Sequence, residues 1–376
     1  MIYRAFKLKK TPDSLIDRIA FILIRTNYFV KNKFLDLISK VFFLNYKGIE
    51  VKKIIVLRMG SMGDTVTALP AFTAIRNNFP NAEIDLLTNK FQPGKAHISE
   101  ILPYTFFNRY YYYKRFVDKD IIQQLRENKY DLYVELSTYR QSLYFELRSF
   151  LVAKRIRTRS AIGWHISSDF FLRKKQEKLL KFDTNRVRLL GMIKQYKLQI
   201  KDTGWLAQNN SVPVPEFDWD HFVKINFGNR GIIALIPGTG WPENKWPISN
   251  YHQIALHFSK ESFIVLLIGG EQDYIESETI AQESKKVINL CGKLTVMESA
   301  ACLNKCLLVI SNDTGPMHLA YAVGTPVIAL YSNRNYEGKW DPPDDGKNVI
   351  IRSDNKIENI PVSKVIAAAE RILNTE

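Results

Sequence analysis

Hydrophobic and polar residues follow two different patterns along the chain, and the change falls near residue 52. Before it, apolar residues recur at helical spacing through residues 14–44, with lysines and arginines between them. This spacing predicts one or two amphipathic helices in a basic N-terminal extension, residues 1–50. Two interpretations stay open, because periodicity reports only that one face is covered: an interfacial membrane helix, or a helix packed on the body of the protein.

From residue 52 onward, short apolar strands alternate with helical stretches. In the first half, strands are predicted at 52–57, 83–88 and 131–136, and helices at 121–129, at 141–151 and in a stretch ending at 79. In the second half, segments rich in branched residues predict strands at 231–236, 263–268, 287–290, 307–311, 327–331 and 349–352. Helices are predicted between and after them at 248–260, 273–285, 295–304, 315–323 and 362–374. This alternation predicts parallel sheets with helices on both faces.

An aperiodic stretch at 202–220, with Gly204, Pro213 and Pro215, predicts a linker between two such domains. We therefore expect an α/β protein with an extension at 1–50, a first domain at 51–215 and a second domain at 216–376. For the last helix, packing back onto the first domain is kept as an alternative to packing within the second. In doubly wound sheets, ligands bind beyond the carboxyl ends of the strands, so the loops there are expected to carry the chemistry.

Composition and charge narrow the class of partner. The 376 residues are 46% hydrophobic and 24% charged, which is typical of a globular protein. The net charge of +15 is concentrated, with +6 in residues 1–50, +12 in residues 148–201 and −3 in the remainder. Two local basic patches favour an anionic partner and argue against nucleic acid.

Cysteine content and hydropathy bear on location. Three cysteines are too few for a disulfide framework, and Cys302 and Cys306, four apart on a predicted helix, are expected to be buried thiols in a reducing compartment. No apolar run approaches the roughly 18–20 residues of a membrane span. We therefore expect the chain to remain in the cytoplasm.

The first loop of interest joins a predicted strand to a helix. Gly60, Ser61 and Gly63 permit a tight turn and the close approach of a ligand to backbone amides. A third glycine is missing, which argues against the dinucleotide-binding fingerprint. Asp64 has two interpretations: a helix N-cap, or a carboxylate that takes a proton from an attacking hydroxyl.

Three further loops follow strands of the second half. Pro237–Pro247 resembles a phosphate cradle, with Thr239, Gly240 and Lys245. Ser311–Gly315 brings Asp313, Thr314 and Gly315 to a helix start, with His318 one turn later as either a structural histidine or a ligand contact. Glu271 or Asp273, after a third strand, is expected to hold ribose hydroxyls.

One acidic pair is a false lead for a metal site. Asp218 and Asp220 have the D-x-D form of some metal-dependent sugar transferases. No second acidic cluster surrounds them, so we expect no metal there.

Three ordered segments resemble glycosyltransferase family 9, the ADP-heptose:lipopolysaccharide heptosyltransferases. They are RMGSMGDTVTALPAF at 58–72, NKWP at 244–247 and SNDTGPMHLAYAVGTPVIALY at 311–331, and the resemblance covers about residues 52–365. It implies a GT-B fold, in which two Rossmann-like doubly wound domains face across a cleft, and sugar transfer with inversion and without metal or cofactor. The extension at 1–50 and Asn244, where the family often has a basic residue, depart from the pattern.

The resemblance also implies roles for individual residues. Asp64 matches the proposed catalytic base, and Lys245 matches the lysine on the donor diphosphate, with Thr239 and Gly240 nearby. Asp313 matches the contact to donor sugar hydroxyls, and Thr314 and Gly315 match the phosphate-binding turn. His318 stands at the family's histidine, and Glu271 or Asp273 would contact ribose. Arg140, after a strand of the first domain, is a candidate acceptor contact.

These residues lead to an expected function. The chain would transfer a sugar, heptose from ADP-heptose by resemblance, onto a lipopolysaccharide core or related glycan. The patch at 148–201 would face an anionic glycolipid, and the N-terminal helices would hold the enzyme on the inner face of the bacterial inner membrane. The alternatives are a non-catalytic sugar-nucleotide-binding protein of the same fold and a dinucleotide-dependent oxidoreductase.

Overall fold

A computed structural model describes most of the chain in two compact units. It covers residues 6–8, 14–90, 96–102, 106–113, 119–136, 142–165, 180–182, 185–198, 216–223, 227–228, 230–333, 338 and 340–374. The first unit is Met1–Gly60, Thr67–Phe91 and Leu102–Thr203, and the second is Ser61–Val66, Gln92–Ile101 and Gly204–Glu376. Arg140 and most of the predicted linker lie outside the described residues.

The first half of the chain builds a parallel sheet. Its elements are β1 (Phe6–Leu8), α1 (Leu15–Phe42), β2 (Lys53–Leu57), α2 (Met62–Asn78), β3 (Glu83–Asn89), α3 (Ile98–Ile101), β4 (Tyr110–Tyr113), α4 (Lys119–Glu127), β5 (Leu132–Glu135), α5 (Leu143–Ile156), β6 (Ser160–Ile162), β7 (Leu180–Phe182) and α6 (Asn185–Gln195). Five strands pair in parallel in the order β4-β3-β2-β5-β6, and β1 pairs with β7 antiparallel. The sequence predicted β2, β3 and β5 but missed the others.

The second half builds a larger parallel sheet. Its elements are α7 (Trp219–Phe222), β8 (Ile232–Ile236), α8 (Ile248–Lys260), β9 (Ile264–Leu267), α9 (Tyr274–Ala281), β10 (Val287–Asn289), α10 (Val296–Asn304), β11 (Leu308–Asn312), α11 (Gly315–Ala322), β12 (Val327–Tyr331), β13 (Val349–Arg352) and α12 (Val362–Leu373). The strand order is β10-β9-β8-β11-β12-β13. All six predicted strands and all five predicted helices are confirmed. The strands β9, β11 and β12 are buried along their whole length, as uncharged runs of branched residues predict.

The last helix, α12, belongs to the core of the second unit. Val365 and Ala369 are fully buried there with Ile254 and Phe258 of α8. The apolar face of this helix is therefore used within its own unit, and packing of the helix on the first domain stays a prediction.

The N-terminal extension forms one helix, α1, of 28 residues. Ser14 caps its start by accepting a hydrogen bond from the Asp17 N–H. One face is buried on the first unit, where the Tyr28 hydroxyl lies 2.5 Å from His165 Nε2 and Ser39 Oγ accepts a hydrogen bond from the Trp164 indole. The body-packed interpretation of this helix is therefore confirmed for that face.

Cys291, Cys302 and Cys306 are free and buried, all in the second unit, as predicted for the latter two. Burial raises the pKa of the Cys291 thiol to about 12. Within the described residues, no helix combines the length and apolarity needed to cross a bilayer.

Candidate active site

Asn312, the last residue of β11, ties two candidate loops together. Its side-chain amide donates to the Pro237 carbonyl at 2.7 Å and accepts from the Trp246 N–H at 3.1 Å. Thr239 Oγ1 adds a bond to the Asp313 carbonyl at 3.3 Å. The predicted cradle and the predicted sugar-binding turn therefore meet at the carboxyl ends of β8 and β11. Asn312 was not singled out from the sequence, although it lies within the quoted motif.

Lys245, the predicted diphosphate ligand, forms an ion pair with Glu276 in the first turn of α9. Its side chain keeps 29% of its accessible surface, and that of Glu276 keeps 51%. Trp246 beside it is fully buried and donates its indole N–H to the Ile360 carbonyl at 3.1 Å. The buried tryptophan fixes the backbone that carries the lysine. Glu276 is a site residue that the sequence did not reveal.

The structure separates the two candidate ribose residues. The Asp273 carboxylate accepts the Gly270 N–H at 2.9 Å and lies against the backbone of Gly238 and Gly269. Burial raises the pKa of this carboxyl above its usual range. Glu271 is exposed in the same turn. Asp273 thus braces the loops, and Glu271 is the more exposed of the two.

Helix α11 starts at the third loop. Thr314 is its N-cap residue, and the Thr314 side chain makes no capping hydrogen bond to the helix. The Thr314 side chain therefore does not accept a hydrogen bond from the first N–H groups of the helix. N–H groups at the start of a helix are well suited to bind a phosphate. Asp313 and Gly315, on either side of Thr314, are partly accessible.

His318 is a buried residue of α11. Its Nδ1 lies 2.5 Å from the Tyr321 hydroxyl, and its ring packs edge-on against Trp340 at 5.9 Å. Burial lowers the pKa of the imidazole to about 3, so it is neutral at physiological pH. Of the two interpretations, the geometry favours a structural histidine.

The segment Ser61–Val66 groups with the second unit, and Gly63 lies against the His318 ring. A Cβ built on Gly63 would come within 2.6 Å of His318 Cδ2. Asp64 is the third residue of α2 rather than its N-cap, because the helix begins at Met62. Its carboxylate instead accepts from the Ser61 N–H at 3.0 Å and the Ser61 hydroxyl at 3.2 Å.

Gly60, in the first unit, has a backbone conformation suited to glycine. Its φ is 153°, and its N–H donates to Asn89 Oδ1 at 2.8 Å.

In the D-x-D segment, Asp218 has a local role. It caps the short helix α7 by accepting a hydrogen bond from the His221 N–H at 3.1 Å.

A buried polar cluster lies at the carboxyl end of β5 in the first unit. The Glu135 carboxylate accepts hydrogen bonds from the Tyr133 and Ser149 hydroxyls. Burial raises its pKa to about 7. In the sequence, the signal for this cluster is a charged residue at the end of an apolar strand.

Comparison with known proteins identifies the family of the chain. The model of glycosyltransferase family 9 (heptosyltransferase) matches residues 119–361, well over half of the sequence. The chain belongs to glycosyltransferase family 9. The Pro237–Pro247, Gly269–Asp273 and Ser311–Gly315 loops lie inside the matched range, whereas Asp64 precedes it.

Relatives of this family 9 transferase include curated proteins and solved structures. It is 24% identical over 326 residues to lipooligosaccharide heptosyltransferase 2 of Haemophilus influenzae, covering 80% of this chain and 88% of that protein. The family 9 glycosyl transferase structure from Veillonella parvula has a TM-score of 0.66 at 19% identity, covering 87% of this chain and 99% of that one. ADP-heptose lipopolysaccharide heptosyltransferase II of Escherichia coli has a TM-score of 0.58 at 19% identity, covering 86% and 99%.

These likenesses confirm the α/β GT-B fold that the motifs implied. Membership of a transferase family also confirms the enzyme class, and it leaves the oxidoreductase alternative without support. The role of each site residue stays a prediction.

Proposed function

We propose that this family 9 transferase moves heptose from ADP-heptose onto an anionic lipopolysaccharide core glycolipid, with inversion and without a metal, at the inner face of the bacterial inner membrane. The observation that carries the proposal is that Asn312 and Asp273 join the loops that carry Lys245, Glu271 and the start of α11. The names of the relatives support the sugar and the acceptor class. A structure of the E. coli heptosyltransferase WaaC with ADP, at 17% identity and a TM-score of 0.58, supports the nucleotide.

The donor would be held through its charge and its hydroxyls. Lys245 and the N–H groups at the start of α11 would neutralise the diphosphate, the former by exchanging Glu276 for a phosphate oxygen. Thr239 and Gly240 line the same loop. Glu271 would accept from ribose hydroxyls, and Asp313 from hydroxyls of the sugar.

The transfer step requires a base and a stabilised leaving group. The acceptor hydroxyl oxygen would form a bond to the anomeric carbon from the face opposite the diphosphate, while the bond from that carbon to the diphosphate oxygen breaks. Asp64 would take the hydroxyl proton, and ADP would leave with the electron pair. Lys245 and the start of α11 would stabilise the departing charge in place of a metal.

The acceptor side would rely on the basic patch. Within residues 148–201, the described exposed cations include Lys154, Arg155, Arg157 and Arg159. Positive charge at this density suits a phosphorylated or acidic glycolipid. Arg140 stays a candidate acceptor contact.

A transfer assay with ADP-heptose and lipopolysaccharide that lacks core heptose tests the proposal. Asp64→Asn should lower kcat by about 10²–10⁴ with nearly unchanged ADP affinity, because it removes only the proton acceptor. Asp344→Asn, at an exposed aspartate of the second unit, is the matched control for Asp64→Asn. Lys245→Ala should weaken ADP binding.

The outcomes separate the alternatives. Full activity of Asp64→Asn would remove Asp64 from the chemistry. Preference for UDP or GDP over ADP would overturn the donor. ADP binding with no transfer in the unmodified protein would favour the non-catalytic alternative.

A further inference from the structure

The outer face of α1 is apolar and exposed along its whole length. Six of its residues keep 44–68% of their accessible surface, and these are Ile19, Leu23, Val30, Phe34, Leu37 and Val41. On an ideal helix they fall within an arc of about 60°, on the side away from the buried residues Ile24, Tyr28 and Leu35. The helix therefore has two apolar faces, and the first unit covers only one of them.

Positive charge borders this outer face. Arg18, Arg25, Lys33 and Lys40 are exposed on one side of the apolar arc, spread over about 80° of the helix between that arc and the buried face. The helix has two acidic residues against them, Asp17, which is buried, and Asp36, which pairs with Lys40 at 2.8 Å, so this side keeps a net positive charge. An apolar strip with a cationic edge is the composition of helices that lie in the interface of anionic membranes.

The attachment of α1 to the first unit determines how such a helix could meet a membrane. Tyr28, Ser39 and Leu35 hold its inner face against the protein. The helix therefore cannot turn across a bilayer. At about 1.5 Å per residue, the apolar strip from Ile19 to Val41 is roughly 33 Å long and runs parallel to the helix axis.

We propose that the outer face of α1 is a docking surface for an anionic lipid bilayer, with the helix lying flat and its apolar strip entering the headgroup region. Charge complementarity selects this occupant over a second copy of the chain, because a second copy would bring the same cationic edge to the contact. This proposal deepens the proposed function by naming the surface that meets the membrane. It rests on that function in one respect, namely that the glycolipid acceptor resides in the membrane.

Vesicle co-sedimentation of the full chain tests the surface. The probe is a set of phosphatidylglycerol/phosphatidylcholine vesicles compared with phosphatidylcholine alone. Leu23→Gln/Val30→Gln/Leu37→Gln should lower the partition coefficient on anionic vesicles at least about tenfold, and glutamine preserves helix propensity. Ile275→Gln/Ile350→Gln, at exposed apolar residues of the second unit, is the matched control and should bind like the unmodified protein.

A second variant tests the cationic edge. Arg25→Gln/Lys33→Gln/Lys40→Gln should lose affinity for anionic vesicles and most of its salt dependence. Circular dichroism and the melting temperature of each variant check that α1 is still folded.

The results distinguish this surface from the enzyme chemistry. The triple apolar variant should keep transfer to a detergent-dispersed acceptor and should keep ADP affinity. Vesicle binding equal to that of the unmodified protein would overturn the docking surface, as would a dimer that this variant converts to monomer without any vesicle binding. Loss of transfer in every form, with vesicle binding intact, would overturn the proposed function and leave the docking surface standing.

Discussion

At the scale of single residues, the lysine assigned to the donor diphosphate already has an anionic partner. Lys245 pairs with Glu276, and Asp273 contributes a second carboxylate nearby. A diphosphate must displace the Glu276 carboxylate to reach the Lys245 ammonium. The ion pair is therefore both a means of holding the lysine in place and a competitor of the ligand.

Removing this competitor should strengthen nucleotide binding. We expect Glu276→Gln to tighten ADP binding by about two- to fivefold at low salt, the range expected for an exposed pair. Isothermal titration of ADP measures the change. Glu278→Gln is the control on the same helix, because that carboxylate accepts from Asn289 at 2.8 Å instead. Weaker ADP binding by Glu276→Gln would mean that Glu276 chiefly positions the lysine.

Gly63 is a residue whose missing side chain matters. Gly63→Ala would place a methyl group within 2.6 Å of a buried imidazole that Tyr321 holds in place. We expect a loss of about 1–3 kcal/mol in the free energy of unfolding, with reduced transfer, from this overpacking.

Chemical denaturation of Gly63→Ala measures that loss. Gly48→Ala is the control, since nothing lies within 4 Å of a Cβ built there and its φ is not positive. Equal stability of the two variants would show that the His318 ring yields to the methyl group.

At the scale of elements, a buried histidine links α1 to the body of the first unit. Burial lowers the pKa of His165 to about 3, with Arg188 adding to the shift, while its Nε2 lies 2.5 Å from the Tyr28 hydroxyl. The unfolded chain binds a proton at this histidine below pH 6.5, and the folded chain does not until about pH 3. Stability from this residue is therefore complete above pH 6.5 and declines as the pH falls through that window.

The pH dependence can be measured by urea denaturation at pH 7.5 and pH 5. Glutamine does not titrate, so His165→Gln removes this source of pH dependence. The difference in free energy of unfolding between the unmodified protein and His165→Gln should therefore be about 2 kcal/mol smaller at pH 5 than at pH 7.5. His221→Gln, at an exposed histidine, is the control substitution. A deficit that is the same at both pH values would contradict a neutral buried His165.

Element recognition from sequence succeeded where local patterns determine the structure. The uncharged run at β8 and the Asp-Thr-Gly helix start at α11 were both predicted within a residue or two. β4 is four tyrosines in a row, which have no alternation to detect. The pairing of Lys245 with Glu276 joins positions 31 apart in sequence, and only the order of the strands brings them together.

At the scale of the whole molecule, charge is divided between the two halves of the chain. The segments 1–50 and 148–201 carry +6 and +12, and both belong to the first unit. The rest of the chain carries −3, including the loops assigned to the donor. Donor and acceptor should therefore respond differently to salt, because screening weakens an extended field more than a few close contacts.

Steady-state kinetics at 50 and 300 mM NaCl tests that difference. Under the proposed function, the KM for the glycolipid acceptor should rise by about tenfold, and the KM for ADP-heptose by much less. A parallel rise of both constants would show that the basic segments do not act on the acceptor.

The three buried cysteines give the molecule a built-in reporter. All of them are buried in the second unit, so alkylating reagents should not reach them in the folded state, and burial also raises the pKa of Cys291 to about 12. Alkylation must then wait for the second unit to open. The rate at which an alkylating reagent is consumed would therefore record the opening of that unit alone, without any label or substitution, and ADP should slow it.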